Sequence, residues 1–220
     1  MLLSMNVIEL FSSIDGEGKR QGFLTTFLRL HDCNIRCSYC DTLYSYGPES
    51  TFESMSVQAV ADVIEQLKNH RITVTGGEPL LQETAVIELI DELTRRNARY
   101  DFNIETNGTI IPSFHRDNVW FTYDYKTPSS LAEDAMNLDI FKVATPADII
   151  KFVVGSMQDL DRMDEILKTY PTDAQIFVSP VWGNIEGATI IEYMKAHNWQ
   201  NVRFQLQIHK FIWDPDAKGV

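Results

Sequence analysis

Phe23-Leu24-Thr25-Thr26-Phe27-Leu28-Arg29-Leu30, followed directly by His31-Asp32-Cys33-Asn34-Ile35-Arg36-Cys37-Ser38-Tyr39-Cys40-Asp41-Thr42, is the stretch on which the fold turns. The first eight residues read as a strand, apolar and Thr-rich with one cation inside it. The next twelve hold all three cysteines of the chain, spaced C-x3-C-x2-C with Tyr39 before the last. Three cysteines cannot all pair internally, so a disulfide framework is poorly supported. Three thiolates at this spacing can ligate three irons of a cubane iron–sulfur cluster and leave the fourth iron open to a substrate or cofactor. A structural zinc usually takes four protein ligands, and His31 would have to be the fourth. The iron–sulfur reading is the stronger and zinc is the alternative.

Outward from this stretch, strands and helices take turns. Ser56 is a good N-cap for a helix with Val57, Val60, Ala61, Ile64 and Leu67 on one face. A strand is expected over 71–75 and an apolar-faced helix over 83–96. Strands over 101–105, 119–124, 149–154, 175–179 and 202–207 follow, with helices near 159–170 and 186–197. The segment from the cysteines through Ser54 reads as polar and irregular. Repeated βα units imply an α/β fold with a mostly parallel sheet, open or closed as a (β/α) barrel. The 220 residues are fewer than a full eight-fold barrel usually needs, so an abbreviated, partly open barrel is expected, as a single domain over 1–220. Ligands in such folds bind at the carboxyl ends of the strands. There this chain carries Thr75-Gly76-Gly77-Glu78-Pro79, Glu105-Thr106-Asn107-Gly108, Asp124-Tyr125-Lys126 and Ser179-Pro180-Val181-Trp182.

The net charge of −12 argues against broad phosphate-backbone contact, so no nucleic-acid partner is expected. No stretch approaches a membrane-spanning apolar run. The start, Met1 to Glu9, lacks a basic segment and is broken by Asn6 and Glu9, so no signal peptide is expected. A cytoplasmic, reducing compartment suits unpaired thiols. Lys19, Arg20, Arg29 and Arg36 surround the cysteine segment of an otherwise acidic chain. Arg29 stands apart, because a guanidinium inside an apolar run needs an anionic partner.

The cysteine loop with Tyr39, followed by Gly76-Gly77-Glu78-Pro79 at the end of the second strand, resembles the radical S-adenosylmethionine superfamily. The resemblance implies a [4Fe–4S] cluster on Cys33, Cys37 and Cys40. Its open iron is chelated by the methionine moiety of S-adenosylmethionine, whose reductive cleavage yields a 5′-deoxyadenosyl radical. Further upstream, Ile14-Asp15-Gly16-Glu17-Gly18 with Gly22, Phe27, Arg29 and Cys33-Asn34 is similar to the 7-carboxy-7-deazaguanine synthase family, as is the ending Gln205-Leu206-Gln207-Ile208-His209-Lys210-Phe211 with Gly219-Val220. That family contracts the ring of 6-carboxy-5,6,7,8-tetrahydropterin to 7-carboxy-7-deazaguanine with loss of ammonia, on the way to the queuosine-type 7-deazapurines of tRNA.

Carried over, the resemblance implies substrate contacts by Ile14, Asp15, Gly16, Glu17, Arg29, Thr75 and the terminal carboxylate of Val220, with Arg29 on the pterin carboxylate. Thr42 would contact Mg2+. Tyr39, Cys40, Asp41, Gly77, Glu78, Glu105, Asn107, Asp124, Tyr125, Lys126, Ser179, Pro180, Val181 and Trp182 would border S-adenosylmethionine. An electron donor such as flavodoxin and a homodimer are implied as well. Two departures stand out: Asp15, where many members have Gln, and Asp124-Tyr125-Lys126, where they have Ser-Pro-Lys. Two rivals are weighed. A glycyl-radical activating enzyme shares the short barrel and cysteine spacing but has no use for the Gly-Glu-Gly segment and Arg29. A non-catalytic metal-binding interaction module would not bind S-adenosylmethionine.

Overall fold

The computed structural model describes residues 3–215 and 217–220. In chain order its principal elements are β1 (Ser4–Ile14), β2 (Leu24–Leu30), β3 (Glu53–Ser56), α1 (Val57–Gln66), β4 (Arg71–Gly76), α2 (Glu83–Arg96), β5 (Asp101–Thr106) and β6 (Val119–Lys126). The series continues with α3 (Ile140–Val143), β7 (Ile149–Val154), α4 (Met157–Thr169), β8 (Gln175–Pro180), α5 (Gly187–Ala196), β9 (Val202–Phe204) and α6 (His209–Ile212). The strands form one open sheet in the order β3-β1-β2-β4-β5-β6-β7-β8-β9. From β2 through β9 every neighbouring pair is parallel. β1 and β3 add an antiparallel edge beside β2.

Three features depart from the sequence reading. β1 lies where the sequence was read only for a leader, and its buried Met5 and Val7 join the core. β3 falls in the segment expected to be irregular; Glu-Ser-Met-Ser has no apolar signal and forms because β1 offers it a row of unpaired backbone groups. The last strand ends at Phe204 rather than 207, and the Gln205 side chain beyond it turns to the Gly18 backbone, accepting from its N–H at 2.6 Å and donating to its carbonyl at 2.9 Å.

The helices are held on the sheet by the faces their spacing predicts. Ser56 caps α1 through its hydroxyl, and Val57, Val60, Ala61 and Ile64 are buried beneath it. α2 buries Leu89, Ile90 and Leu93, and α4 buries Leu160, Met163 and Ile166. All six residues of β7, Ile-Ile-Lys-Phe-Val-Val, are buried, as expected of a central parallel strand covered on both faces.

Register sets the functional edge. Leu30 pairs with Gly76 across β2 and β4, so the cysteine loop and the Gly-Gly-Glu-Pro segment leave the sheet side by side. Gly77 N–H donates to Leu30 O at 3.1 Å and Glu78 N–H to Asp32 O at 2.7 Å. A Cβ on Gly76, whose φ is +132°, would sit 2.3 Å from Leu30 O; one on Gly77 would sit 1.8 Å from Asp32 O. These glycines let one backbone lie against another. Gly76→Ala should therefore lower stability by at least about 1–3 kcal/mol, the range for strained backbone. A urea midpoint unchanged from wild type would show that the close approach is not required.

Candidate active site

The cysteine loop is held open by its own backbone chemistry. Asp32 takes a left-handed φ of 79°, and its Oδ1 accepts from Cys33 N–H at 2.8 Å. Cys33, Cys37 and Cys40 are free, half-buried thiols, and all three line a single cavity of about 260 Å³ at the carboxyl ends of the parallel strands. Asn107 Nδ2 donates to Cys33 Sγ at 3.7 Å, and Thr42 Oγ1 lies 3.7 Å from Cys40 Sγ. Burial pushes the Cys33 and Cys37 thiols up, and Lys126 pulls Cys37 partly back. Among the described residues no group of three or more His, Cys, Asp or Glu is arranged to hold a single metal ion. A cubane distributes its thiolates over separate irons, so three free thiols around one cavity suit a cluster without converging on a point.

Charged side chains form the rest of the wall. Asp124 and Lys151 are cross-strand neighbours on β6 and β7. Lys151 Nζ lies 2.6 Å from Glu17 Oε1 and 3.5 Å from Asp124 Oδ2, and Lys126 Nζ lies 3.0 Å from the same Asp124 oxygen. Burial alone would raise the Asp124 carboxyl, but Lys126 and Lys151 outweigh it and hold it below the usual range. Burial would lower Lys151, yet Asp124, Glu17 and Glu105 together lift it well above an ordinary lysine. Glu105 is the exception: burial dominates and raises it to about 7, only partly opposed by Lys151. Glu17 Oε2 and Asp124 Oδ1 are buried without a hydrogen-bond partner. Burial also raises Tyr39 to about 12, its hydroxyl donating to Val153 O at 3.2 Å.

The loop after β1 brings Asp15, Gly16 and Glu17 to the same cavity. The Asp15 side chain is engaged by the protein itself. It accepts from Arg20 Nε at 2.9 Å, Thr25 Oγ1 at 2.8 Å and Thr73 Oγ1 at 3.2 Å, and is 2 % exposed. Arg29 also has its anion within the chain. The β1–β2 register sets Glu9 opposite Arg29, and Nε lies 2.6 Å from Glu9 Oε1. Glu9 is thus an anionic partner of the kind that a guanidinium inside an apolar run requires. Among the described residues only its Nε is hydrogen-bonded by a side chain, leaving the terminal nitrogens on a residue that lines the cavity.

The C-terminal tail closes the far side. Ile208 N–H donates to Gly16 O at 3.0 Å, and a Cβ on Gly16 would meet His209 Nδ1 at 1.9 Å. Lys210 Nζ lies 3.3 Å from Asp41 Oδ2, and Trp182 meets Phe211 edge-on at 5.0 Å. Gly219 and Val220 reach the cavity wall.

Ile14, Asp15, Gly16, Glu17, Arg29, Tyr39, Asp41, Thr42, Thr75, Gly77, Glu105, Asn107, Asp124, Lys126, Val181, Trp182 and Val220 thus meet at the cavity with the three cysteines. Glu78, Tyr125, Ser179 and Pro180 are outside its lining. Glu78 is fully buried behind the wall, accepting from Leu80 N–H, Thr106 Oγ1 and Asn107 N–H. Tyr125 sits between Asp124 and Lys126, so strand alternation turns it to the opposite face, where it bonds Glu133 at 2.8 Å. Ser179 is buried, and the chain enters the lining only at Val181. Lys151, His209 and Lys210 line the cavity although sequence reasoning assigned them no role. Lys151 carried the same signal as Arg29, a cation inside an apolar strand.

The profile of the Radical SAM superfamily matches residues 29–153, from Arg29 through the cysteine loop to β7. The chain therefore belongs to the radical S-adenosylmethionine superfamily, whose enzymes use a [4Fe–4S] cluster and S-adenosylmethionine. It is 36% identical to the 7-carboxy-7-deazaguanine synthase of Clostridium acetobutylicum, over 99% of this chain and 100% of that one. It is 37% identical to the enzyme of the same name from Methanospirillum hungatei, over 96% of this chain and 86% of that one. Within the superfamily, the chain belongs to the 7-carboxy-7-deazaguanine synthases. The crystal structure of QueE from Escherichia coli has the same fold, with a TM-score of 0.70 at 24% identity over 92% of this chain and 93% of that one.

The raised Glu105 has a measurable consequence. Between its ordinary value of 4.5 and about 7, the folded chain holds a proton that the unfolded chain has released. Stability contributed by Glu105 is thus complete below that window and declines as pH rises through it. Glu105→Gln, fixed in the neutral form, should flatten this decline in urea midpoints of the ligand-free protein. Parallel curves for wild type and variant would rule out a proton-retaining Glu105.

Proposed function

We propose that this chain, as a single radical S-adenosylmethionine domain over 1–220, converts 6-carboxy-5,6,7,8-tetrahydropterin to 7-carboxy-7-deazaguanine with loss of ammonia, in queuosine-type 7-deazapurine biosynthesis. The observation that carries the reading is the meeting of three free thiols, the Asp15–Gly16–Glu17 loop and Arg29 on one cavity. When bound, the cluster and S-adenosylmethionine supply a hydrogen-abstracting 5′-deoxyadenosyl radical. Cys33, Cys37 and Cys40 hold the cluster. Tyr39, Asp41, Gly77, Glu105, Asn107, Asp124, Lys126, Val181 and Trp182 border the cofactor, and Asn107 backs the Cys33 sulfur.

On the substrate side, Glu17 has a buried oxygen without a partner, suited to an N–H of the pterin. The Ile14–Gly16 backbone and Thr75 orient the ring, and Val220 closes over it. The two terminal nitrogens of Arg29 form a planar fork for the pterin carboxylate. Thr42 offers a hard oxygen to Mg2+, which compensates the same carboxylate. Asp15, saturated by Arg20 and the two threonines, acts by fixing the loop. A cytoplasmic location is supported by the need for reduced thiols, and no helix among the described residues is long and apolar enough to cross a membrane. A flavodoxin-type electron donor and a homodimer complete the proposal on the strength of the family resemblance.

The deciding experiment is an anaerobic assay of reconstituted protein with reductant, S-adenosylmethionine, Mg2+ and the pterin, read by mass spectrometry. Wild type should give 7-carboxy-7-deazaguanine and ammonia, and Cys37→Ala neither. Stoichiometric zinc with no cluster, or radical installation on a partner protein in place of pterin turnover, would overturn the assignment.

Two variants probe the substrate side. Arg29→Lys keeps the charge but loses the fork, and Arg29→Ala loses both; pterin affinity should fall progressively, by on the order of 2–5 kcal/mol for alanine. Thr42→Val should blunt the Mg2+ response of turnover while the cluster still forms. Unchanged pterin affinity in Arg29→Ala, or an unchanged Mg2+ response in Thr42→Val, would remove that residue from the site.

A further inference from the structure

Lys151 is 5 % exposed on a strand whose other residues are all buried and apolar. A cation there is tolerated only with anionic partners, and its two partners come from different parts of the site. Glu17 lies 134 positions away in sequence on the loop after β1; Asp124 is its cross-strand neighbour on β6. One ammonium therefore spans the loop proposed to hold the substrate and the strand proposed to border the cofactor, at 2.6 Å and 3.5 Å. Lys126, the other nearby cation, is paired with Asp124 and not with Glu17. Both carboxylates bound by Lys151 keep one buried oxygen without a partner, Glu17 Oε2 and Asp124 Oδ1. The electrostatic surroundings of Lys151 include the carboxyl groups of Asp124, Glu17, Glu105 and Asp41, with Lys126 and His209 as nearby basic groups.

We infer that Lys151 is a positioning residue that couples the two halves of the site: by holding Glu17 and Asp124 at once, it makes binding of the pterin strengthen binding of S-adenosylmethionine, and the reverse. A ligand donor reaching the free oxygen of one carboxylate immobilises that carboxylate, and through the shared ammonium it orders the other. The second ligand then meets a site already ordered, so its binding costs less entropy. By linkage the enhancement is the same in both directions. This inference rests on the proposed assignment of Glu17 to the pterin and Asp124 to the cofactor.

The test is equilibrium binding to anaerobically reconstituted protein, measuring S-adenosylmethionine affinity with and without 6-carboxy-5,6,7,8-tetrahydropterin, and the converse. Wild type should show mutual enhancement on the order of tenfold, and Lys151→Met should bring it within about twofold of unity. Lys151→Arg, long enough to keep both ion pairs, should retain the enhancement. In turnover, Lys151→Met should release more 5′-deoxyadenosine per product than wild type, because cofactor cleavage is no longer tied to a positioned substrate. A purely structural role would instead lower both affinities and leave their ratio intact, and that result would overturn the inference. Should Lys151→Met not fold, Asp124→Asn breaks the other half of the bridge while sparing Lys151–Glu17, and enhancement surviving in it would be equally fatal. Wild type that binds no pterin would sink the proposed function itself; wild type that binds both ligands independently would sink only the coupling.

Discussion

Two backbone hydrogen bonds, Gly77 N–H to Leu30 O and Glu78 N–H to Asp32 O, lash the end of β4 to the root of the cysteine loop. They are possible because neither glycine brings a Cβ into the space that the neighbouring backbone fills. From there the restraint passes inward. The Glu78 carboxylate accepts from Thr106 and from the Asn107 amide, and the Asn107 side chain reaches Cys33 Sγ and Asn34 Oδ1. Three strand ends are thus tied to the first thiol by a continuous series of hydrogen bonds. A carboxylate outside the cavity lining, raised by burial, holds part of the cavity wall in place.

Electrostatics divides the charged residues into two kinds. Asp15 with Arg20, and Glu9 with Arg29, meet much of their charge requirement within the protein, which offsets the cost of removing those ions from water. The group around Lys151 is different. Glu17 and Asp124 each have one oxygen engaged and one left over, and burial, only partly opposed by Lys151, raises Glu105 to about 7. Saturated pairs fix the backbone, whereas incomplete ones leave hydrogen-bonding capacity for a ligand rich in N–H groups and hydroxyls. Asp15 is of the first kind: Arg20, Thr25 and Thr73 surround its side chain and take up its hydrogen-bonding capacity.

The cavity also depends on contacts between the two ends of the chain. Gln205 brackets the Gly18 peptide, Gln21 reaches Leu206 O, and His209 fills the space where Gly16 lacks a side chain. Substitution in either segment therefore acts on the other, and the short tail after β9 is part of the site wall.

The alternation of apolar strands and amphipathic helices was legible along the sequence because each element buries a face with its own period. β2, β4 to β8 and the helices α1, α2, α4 and α5 emerged within a few residues of their true bounds. The cysteines, Arg29 and the strand-end glycines were legible too, since thiols, isolated cations and paired glycines are conspicuous in an apolar setting, whereas Glu17 and Lys126 were implied by the family resemblance. Tertiary structure alone decided the rest. β3 has no pattern of its own and exists by pairing with β1. Whether Tyr125 or its two neighbours faced the cavity depended on which way the pleat of β6 was turned, and that phase is set by packing against β7 and Phe152. That Arg29 finds Glu9, Asp15 finds Arg20 and Lys151 finds Glu17 followed from registers and loop paths that bring distant residues together. Composition reveals that a buried charge needs a partner; only the folded chain determines which one.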